Sequence, residues 1–165
     1  MTNVNLYKDA PTWPDGYVTN TMCLDDIAKV HQVERLCHSH PWSVKLFASN
    51  FGQRYFNSVI TYQEQIVGYM VASEAGGEVT LLNIAVHPEH QGKGLGKRLL
   101  ELLKQQASHK QCDEIWLEVR VSNRVAITAY LGGGFVEVDR RKGYYPSADG
   151  REDAVIMCCY LDKEV

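Results

Sequence analysis

The sequence lacks any apolar run long enough to cross a membrane. Its 165 residues include no stretch of about 18 consecutive apolar residues, the length that spans a bilayer. It also lacks the basic and then apolar segment of a secretory leader, because the chain opens with the polar stretch MTNVNLYKDAPTWPDG. We therefore expect a cytoplasmic protein with no membrane partner.

An excess of charge of one sign is also absent. The 17 lysines and arginines nearly balance the 20 aspartates and glutamates, for a formal net charge of −3. The sequence thus lacks the basic character typical of nucleic-acid-binding domains, and we expect no direct nucleic-acid binding. A mildly acidic surface can still attract a basic polypeptide.

Disulfide and metal-binding patterns are missing as well. The five cysteines are odd in number and form no C-x-x-C pair, which predicts reduced and mostly buried thiols. The histidines at 38 and 40 and at 87 and 90 come in short pairs, but no cysteine or carboxylate set completes a metal site. We therefore predict no metal cofactor.

The composition itself is ordinary for a globular domain, with 45% hydrophobic and 22% charged residues. The length suits one domain with a sizeable core. Pro11, Trp13, Pro14 and Gly16 predict an irregular N-terminal extension over residues 1–16, followed by a single domain over 17–165. The sequence leaves the oligomeric state open.

Local patterns predict alternating strands and helices. Segments rich in β-branched and aromatic residues predict strands over 17–22, 55–62, 66–72, 79–86, 114–120, 135–139 and 154–161. Apolar spacing and capping residues predict helices over 24–37, after Ser43, over 95–103 and over 125–130. The segment 140–153 is predicted to be a loop.

A glycine-rich segment joins the fourth predicted strand to a helix. Gly92, Gly94 and Gly96 precede a buried helical stripe, and they remove side chains that would screen the first-turn amides. Those free amides and the positive end of the helix dipole favour a bound phosphate. The lysines and the arginine at 93, 97 and 98 add positive charge there.

Neither standard nucleotide motif fits this segment. No Gly-Lys-Ser/Thr follows, as in a P-loop, and no G-x-G-x-x-G occurs. A diphosphate ligand other than ATP or NAD is therefore favoured. The alternative is that the glycines only turn the chain and the cations only solvate a helix.

The strand predicted over 114–120 carries candidate chemistry. Ile115, Leu117 and Val119 alternate with polar side chains, so Glu118 lies on the face opposite the apolar one. A carboxylate there must be solvated, be paired with a cation or have a raised pKa, and each of these three states suits a general base. The alternative is a plain ion pair with one of the arginines at 120 and 124. Judged by residue type and position alone, Tyr130 is a core residue and Asn123 is a turn or cap residue.

A family resemblance favours the functional interpretation of these residues over the structural one. Gln91-x-x-Gly94-x-Gly96 resembles the Q/R-x-x-G-x-G/A motif of the GCN5-related N-acetyltransferases, the GNAT family. The likeness extends over about residues 20–161, including His40-Pro41-Trp42-Ser43, Trp116-Leu117-Glu118-Val119-Arg120 and Tyr144-Tyr145-Pro146. It implies an α/β (α+β) GNAT fold, with a mixed, mostly antiparallel sheet of about seven strands flanked by about four helices.

The resemblance also implies roles for individual residues. Glu118 would be the proton acceptor and Tyr130 the proton donor. Acetyl-CoA, as co-substrate, would be held by the following residues: Ile84, Ala85, Val86, Gly92, Lys93, Gly94, Leu95, Gly96, Lys97 and Asn123.

The implied reaction is transfer of an acetyl group to the N-terminal α-amino group of a protein. Within the family, the resemblance is to enzymes that acetylate the N-terminal alanine of the eighteenth small-subunit ribosomal protein, which makes a basic ribosomal-protein N-terminus the expected partner. Tyr144, Glu152 and Asp153 are candidates for binding that segment, because they add aromatic and acidic side chains near the active face. Two alternatives stay open: acetylation of a small amine or lysine, and a non-catalytic coenzyme A-binding module.

One segment departs from the family pattern. The family usually has Tyr-Glu-Ser-Leu-Gly-Phe where this chain has Tyr130-Leu131-Gly132-Gly133-Gly134-Phe135. Extra glycine loosens a helix end. We therefore expect a looser helix end directly after Tyr130.

Overall fold

A computed structural model describes residues 10–162 of the chain. Within this range seven strands and four α-helices follow one another along the sequence. In chain order they are β1 (Tyr17–Thr21), α1 (Ile27–Cys37), α2 (Val44–Ser49), β2 (Ser58–Tyr62), β3 (Gln65–Ala75), β4 (Glu78–Val86), α3 (Leu95–His109), β5 (Glu114–Arg120), α4 (Arg124–Gly132), β6 (Val136–Ser147) and β7 (Gly150–Tyr160).

All seven strands form one sheet in the order β1-β2-β3-β4-β5-β7-β6. The β4–β5 pair is parallel, and the other neighbouring pairs are antiparallel. Helices pack on both faces. The fold-class prediction, a mostly antiparallel mixed sheet flanked by four helices, is confirmed.

Each face of the sheet has its own hydrophobic core. On one face, the apolar stripe of α3 packs against β5, β7 and the inward residues of β3, with Leu99, Leu103 and Ile115 fully buried. On the other face, α1 and α2 cover Tyr69 and Val71 of β3. Because side chains alternate along a strand, one β3 segment supplies both cores.

The sheet splits at its centre. β4 and β5 pair only at Glu78–Glu114, Val79–Ile115 and Thr80–Trp116, and then separate. A register shift against β3 leaves Leu82 without a paired residue just beyond the last of these pairs. Strand bulges bend a strand and increase its twist. The result is a wedge-shaped gap between the carboxyl ends of two parallel strands.

The predicted loop over 140–153 is wrong, because most of it belongs to the β6–β7 hairpin. β6 lies at the sheet edge, its side chains are mostly exposed, and its pairing with β7 slips twice, after Glu137 and after Arg141. Beyond Asp139, this irregular and little-buried edge strand shows no apolar alternation in the sequence. The strand predicted from Tyr55 begins instead at Ser58.

The segment before β1 has neither helix nor strand over residues 10–16, apart from a turn at its end. The rest of the predicted extension, residues 1–9, lies outside the described residues. The proposed division at residue 16 stays a prediction. Among residues 10–162 there is no helix long and apolar enough to cross a membrane.

Candidate active site

A cavity of about 460 Å³ occupies the gap between β4 and β5. Both separating strands, the end of α1, the start of α4 and the β6–β7 hairpin contribute to its wall. Glu118, Tyr130, Asn123 and Ile84, four of the residues predicted from the sequence, line it together. The fold therefore brings candidate groups from three segments of the chain, β4, β5 and α4 with its cap, to one place.

Glu118 points into this cavity because the strand alternation puts Leu117 and Val119 into the core. Its carboxylate lies 3.4 Å from Nη1 of Arg141, and 32% of its side chain is exposed. The alternative of a pair with Arg120 is not what the structure shows, since Arg120 binds Glu152 at 2.9 Å. The Glu118 carboxylate is thus exposed to solvent, weakly paired with Arg141 and accessible to a substrate, as a proton acceptor must be.

Tyr130 enters the cavity from α4 and is 9% exposed. Burial, with a smaller contribution from Tyr145, raises the pKa of Tyr130 to about 12. Its hydroxyl therefore stays protonated throughout the neutral range. A group held protonated next to the reacting atoms can act as a proton donor.

The glycine run after Tyr130 forms a well-defined helix end. The Phe135 N–H donates to the Tyr130 carbonyl at 3.0 Å, and the Gly134 N–H donates to the Leu131 carbonyl at 3.2 Å. With Gly134 at φ +92, these bonds make a Schellman motif, and the Tyr130 and Phe135 rings pack at 5.8 Å. The chain departs from the family pattern here, yet Tyr130 is held from both sides.

Gly132 and Gly134 should respond oppositely to alanine. Gly132 has ordinary helical geometry with open space around it, so Gly132→Ala should stabilise the protein by about 0.5–1 kcal/mol. Gly134→Ala forces a side chain into the left-handed region and should destabilise it by about 1–2 kcal/mol. Urea unfolding of both variants checks this, and equal stabilities would contradict it.

The glycine loop at the start of α3 fits a diphosphate. Gly92 and Gly94 have φ of +76 and +78, and no atom lies within 4 Å of a Cβ built on Gly92 or Gly96. Gly94 caps α3 without a side-chain hydrogen bond, so the first-turn amides of the helix have no side-chain cap. Lys93 and Lys97 are exposed beside them. The surface is open, donor-rich and cationic.

The β4 residues predicted to hold the co-substrate lie along the open edge of the gap. Ile84 lines the cavity, while Ala85 is 9% exposed and packs into the core under α1. The Val86 carbonyl accepts hydrogen bonds from the Gln91 side chain at 2.9 Å and from the Cys37 thiol at 3.2 Å. None of these three residues pairs with β5.

Asn123 has the role that its residue type suggests as well as a position in the cavity wall. Its side-chain oxygen caps α4 by accepting the Ala126 N–H at 3.2 Å. The cap fixes the start of the helix that carries Tyr130. The turn-or-cap interpretation and the proposed site residue are therefore compatible.

A buried carboxylate at the back of the cavity was not predicted as a site residue. Glu34, on α1, is 1% exposed and lines the cavity. It accepts hydrogen bonds from the Tyr69 hydroxyl at 2.6 Å and from the Asn83 amide at 2.9 Å. His38 Nε2 lies 3.6 Å away. Burial and the Glu34 charge raise the pKa of Tyr69, so its hydroxyl remains a donor.

The Glu34 network ties α1 to β3 and β4, so its loss should be costly. Glu34→Ala leaves the Tyr69 hydroxyl and the Asn83 amide buried without an acceptor, and we expect a loss of about 2–4 kcal/mol in unfolding free energy. Glu34→Gln keeps an acceptor oxygen and should lose less. Urea unfolding measures both, with Gln32→Ala on the exposed face of α1 as control. A Glu34→Ala protein as stable as the control would contradict the prediction.

Tyr145 is the second residue that sequence reasoning missed. It lines the cavity, whereas its neighbour Tyr144 is 42% exposed. The Arg120 guanidinium stacks 4.5 Å from the Tyr145 ring centre. Burial and the Glu118 charge raise the pKa of Tyr145 to about 12. The register shift in β6 decides which of the two adjacent tyrosines turns inward, and no sequence pattern reports it.

The acidic residues predicted to bind the acceptor lie in the hairpin, outside the cavity wall. Glu152 accepts hydrogen bonds from Ser122 and Arg120, which lower its pKa. Asp153 accepts the Gly143 N–H at 2.9 Å. Both carboxylates are engaged within the protein.

An open strand edge suits an amide-rich arm, and the adjacent helix start suits a diphosphate. Coenzyme A combines these two chemical features, so the class of protein that this fold and site fit is a coenzyme A-dependent transferase. The profile of the Acetyltransferase (GNAT) family matches residues 27–135. The chain belongs to this family, whose members take the acetyl group from acetyl-CoA.

Several relatives are similar over most of the chain. The [ribosomal protein bS18]-alanine N-acetyltransferase of Escherichia coli is 43% identical over 132 residues, which cover 80% of this chain and 89% of that one. The Haemophilus influenzae enzyme of the same name is 42% identical over 137 residues, covering 82% and 93%. The crystal structure of the ribosomal-protein-S18-alanine N-acetyltransferase from E. coli superposes with a TM-score of 0.86 at 38% identity, covering 90% and 96%.

Proposed function

We propose that this acetyltransferase modifies the N-terminal alanine of ribosomal protein bS18, using acetyl-CoA. The substrate is suggested by the relatives named for this reaction. The structural observation that carries the chemistry is one cavity lined by both Glu118 and Tyr130. A ribosomal protein as substrate would place the enzyme in the cytoplasm.

An N-terminal amine is the easier nucleophile for this site. An α-amino group has a pKa near 8, whereas a lysine has a pKa near 10.4, and the difference costs about 3 kcal/mol in forming the neutral amine at pH 7. Glu118 would accept the proton of the attacking amine, directly or through a water molecule. Arg141, 3.4 Å away, would move aside for the incoming ammonium.

Tyr130 would supply the second proton transfer. The amine nitrogen forms a bond to the thioester carbonyl carbon, the carbon–sulfur bond breaks, and the Tyr130 hydroxyl protonates the departing thiolate. An amide on the open edge of β4 would polarise the carbonyl oxygen. Because the amine attacks directly, no cysteine is needed as a nucleophile.

The co-substrate would lie across β4 and the start of α3. Ile84, Ala85 and Val86 would pair with the amide-rich arm as an added strand pairs with a sheet edge. The loop from Gly92 to Lys97 would bind the diphosphate, and Asn123 would contact the arm from the other side of the gap.

The acceptor would enter between the hairpin and the end of α1. Tyr144 would contact the peptide from the exposed side of the hairpin. Glu152 and Asp153 would act through the hairpin, because Arg120 and Gly143 already engage their carboxylates. Tyr145 and Glu34 complete the wall on that side.

Mass spectrometry of three peptides tests the proposal. A peptide with the bS18 N-terminus, the same peptide with a blocked amine, and an internal lysine peptide are each incubated with acetyl-CoA and the protein. We expect one acetyl group on the alanine of the first peptide and none on the others. Acetylation of the lysine peptide would favour a side-chain acetyltransferase, and coenzyme A binding with no product would favour a binding module.

A further inference from the structure

The segment before β1 lies across the start of α3. We call residues 10–16 the N-terminal strap. Arg98 of α3 donates from Nε to the Thr12 carbonyl at 2.7 Å, and Trp13 packs against the core that lies between α3 and the sheet. Gly16 lies so close to Tyr62 that an added Cβ would come within 2.8 Å of the ring. The strap is therefore fitted to the domain at three points.

The same arginine also binds the glycine loop. Arg98 Nη1 donates to the carbonyls of Lys93 and Gly94, at 3.4 Å and 3.2 Å. In a trans peptide the carbonyl and the following N–H point in opposite directions. Fixing these two carbonyls toward Arg98 therefore turns the N–H groups of Gly94 and Leu95 away from its guanidinium.

The other end of the loop is held by the residue that follows the strap. The Tyr17 hydroxyl lies 2.7 Å from His90 Nδ1, two residues before Gly92. Burial and the nearby Lys93 charge lower the pKa of His90. A neutral imidazole can accept the tyrosine hydroxyl proton in this bond. The N-terminal segment thus fixes the loop on both sides of its glycines.

We propose that Arg98, braced by the N-terminal strap, is a positioning residue that preorganises the loop amides for the diphosphate of coenzyme A. This inference rests on the proposed function, which places the diphosphate at this loop. Two of its guanidinium nitrogens, Nε and Nη1, are engaged by protein carbonyls, so Arg98 acts through the backbone. Preorganised donors bind more tightly because less ordering is left to the binding step.

The test compares a ligand that contains the diphosphate with one that lacks it. Calorimetry measures the Kd for coenzyme A, and steady-state kinetics compares acetyl-CoA with S-acetylpantetheine as donor. We expect Arg98→Ala to weaken coenzyme A binding about tenfold, the effect of losing hydrogen bonds made by a charged group. Its kcat/KM with S-acetylpantetheine should stay within about twofold of wild type.

Two further variants separate the backbone role from charge alone. Arg98→Lys keeps the charge but lacks the planar fork, so it should lose most of the same affinity. Lys104→Ala removes a charge from the same helix, away from the loop, and should leave coenzyme A binding unchanged. Tyr17→Phe removes only the hydroxyl on His90 and should weaken coenzyme A binding in the same direction as Arg98→Ala.

Three results would overturn the inference. The first is an unchanged Kd for coenzyme A in Arg98→Ala. The second is wild-type affinity in Arg98→Lys, which would show that charge is sufficient. The third is an equal loss with S-acetylpantetheine, which would indicate general damage. If the wild-type protein itself bound no coenzyme A, the proposed function would fail, and this inference with it.

Discussion

Glu118→Gln should lower the kcat for N-terminal acetylation by about 10³-fold, within the range typical of general-base catalysis. Glutamine keeps the shape and hydrogen-bonding reach of the side chain but cannot take up the proton of the attacking amine. The Kd for coenzyme A should stay within about twofold, because no ionic contact of Glu118 faces the glycine loop. Steady-state kinetics with the bS18 peptide and calorimetry with coenzyme A measure the two effects separately.

The pH dependence of the same variant gives an independent check. If Glu118 accepts the proton, raising the pH should partly rescue Glu118→Gln, because more of the α-amine is then already neutral. Glu137→Gln is the matched control, since Glu137 is also a β-strand glutamate in an arginine pair, with Arg140 at 2.8 Å. A Glu118→Gln enzyme with wild-type kcat would remove Glu118 from the mechanism.

Tyr130→Phe should lower kcat by about 10²-fold, because the thiolate would then leave without a proton donor. The pKa of Tyr130, raised to about 12, means that the wild-type hydroxyl keeps its proton through the neutral and mildly alkaline range. The wild-type kcat should therefore show no decline from Tyr130 ionisation below about pH 10. A pH profile of kcat for both proteins measures this.

A change of leaving group shows whether Tyr130 acts as the acid. A thioester of a more acidic thiol needs less protonation, so the deficit of Tyr130→Phe should shrink with such a donor. Tyr160→Phe is the control, since Tyr160 is 59% exposed at the far end of β7. An equal deficit with both donors would assign Tyr130 a structural role in place of an acid role.

The parts of the site that the sequence predicts are those that depend on patterns among neighbouring residues. Alternation along β5 placed Glu118 on the open face, and leucine spacing with glycines defined the start of α3. Both signals extend over fewer than about ten residues and depend only on the type and spacing of neighbouring residues. The structure agrees with them to within a residue at the ends of β5.

The parts that sequence missed depend on contacts between distant segments. Glu34 looks like a residue at the edge of an amphipathic helix, and its partners Tyr69 and Asn83 lie 35 and 49 residues away. Beyond Asp139 the β6 strand shows no apolar alternation, and register shifts decide that Tyr145 turns inward. Local periodicity does not report pairings between such distant residues, and a strand without a buried face carries no pattern that fixes its register.

The short β4–β5 ladder has a consequence for how substrates enter and products leave. β3 pairs with β4 along its length and β7 pairs with β5 along its length, while β4 and β5 pair with each other only in the ladder from Glu78–Glu114 to Thr80–Trp116. α3 packs against strands on both sides of the gap and so keeps the two halves together. Beyond Thr80–Trp116 no β4–β5 hydrogen bond has to break when the gap widens, so substrate entry and product release need not be coupled to local unfolding of these strands.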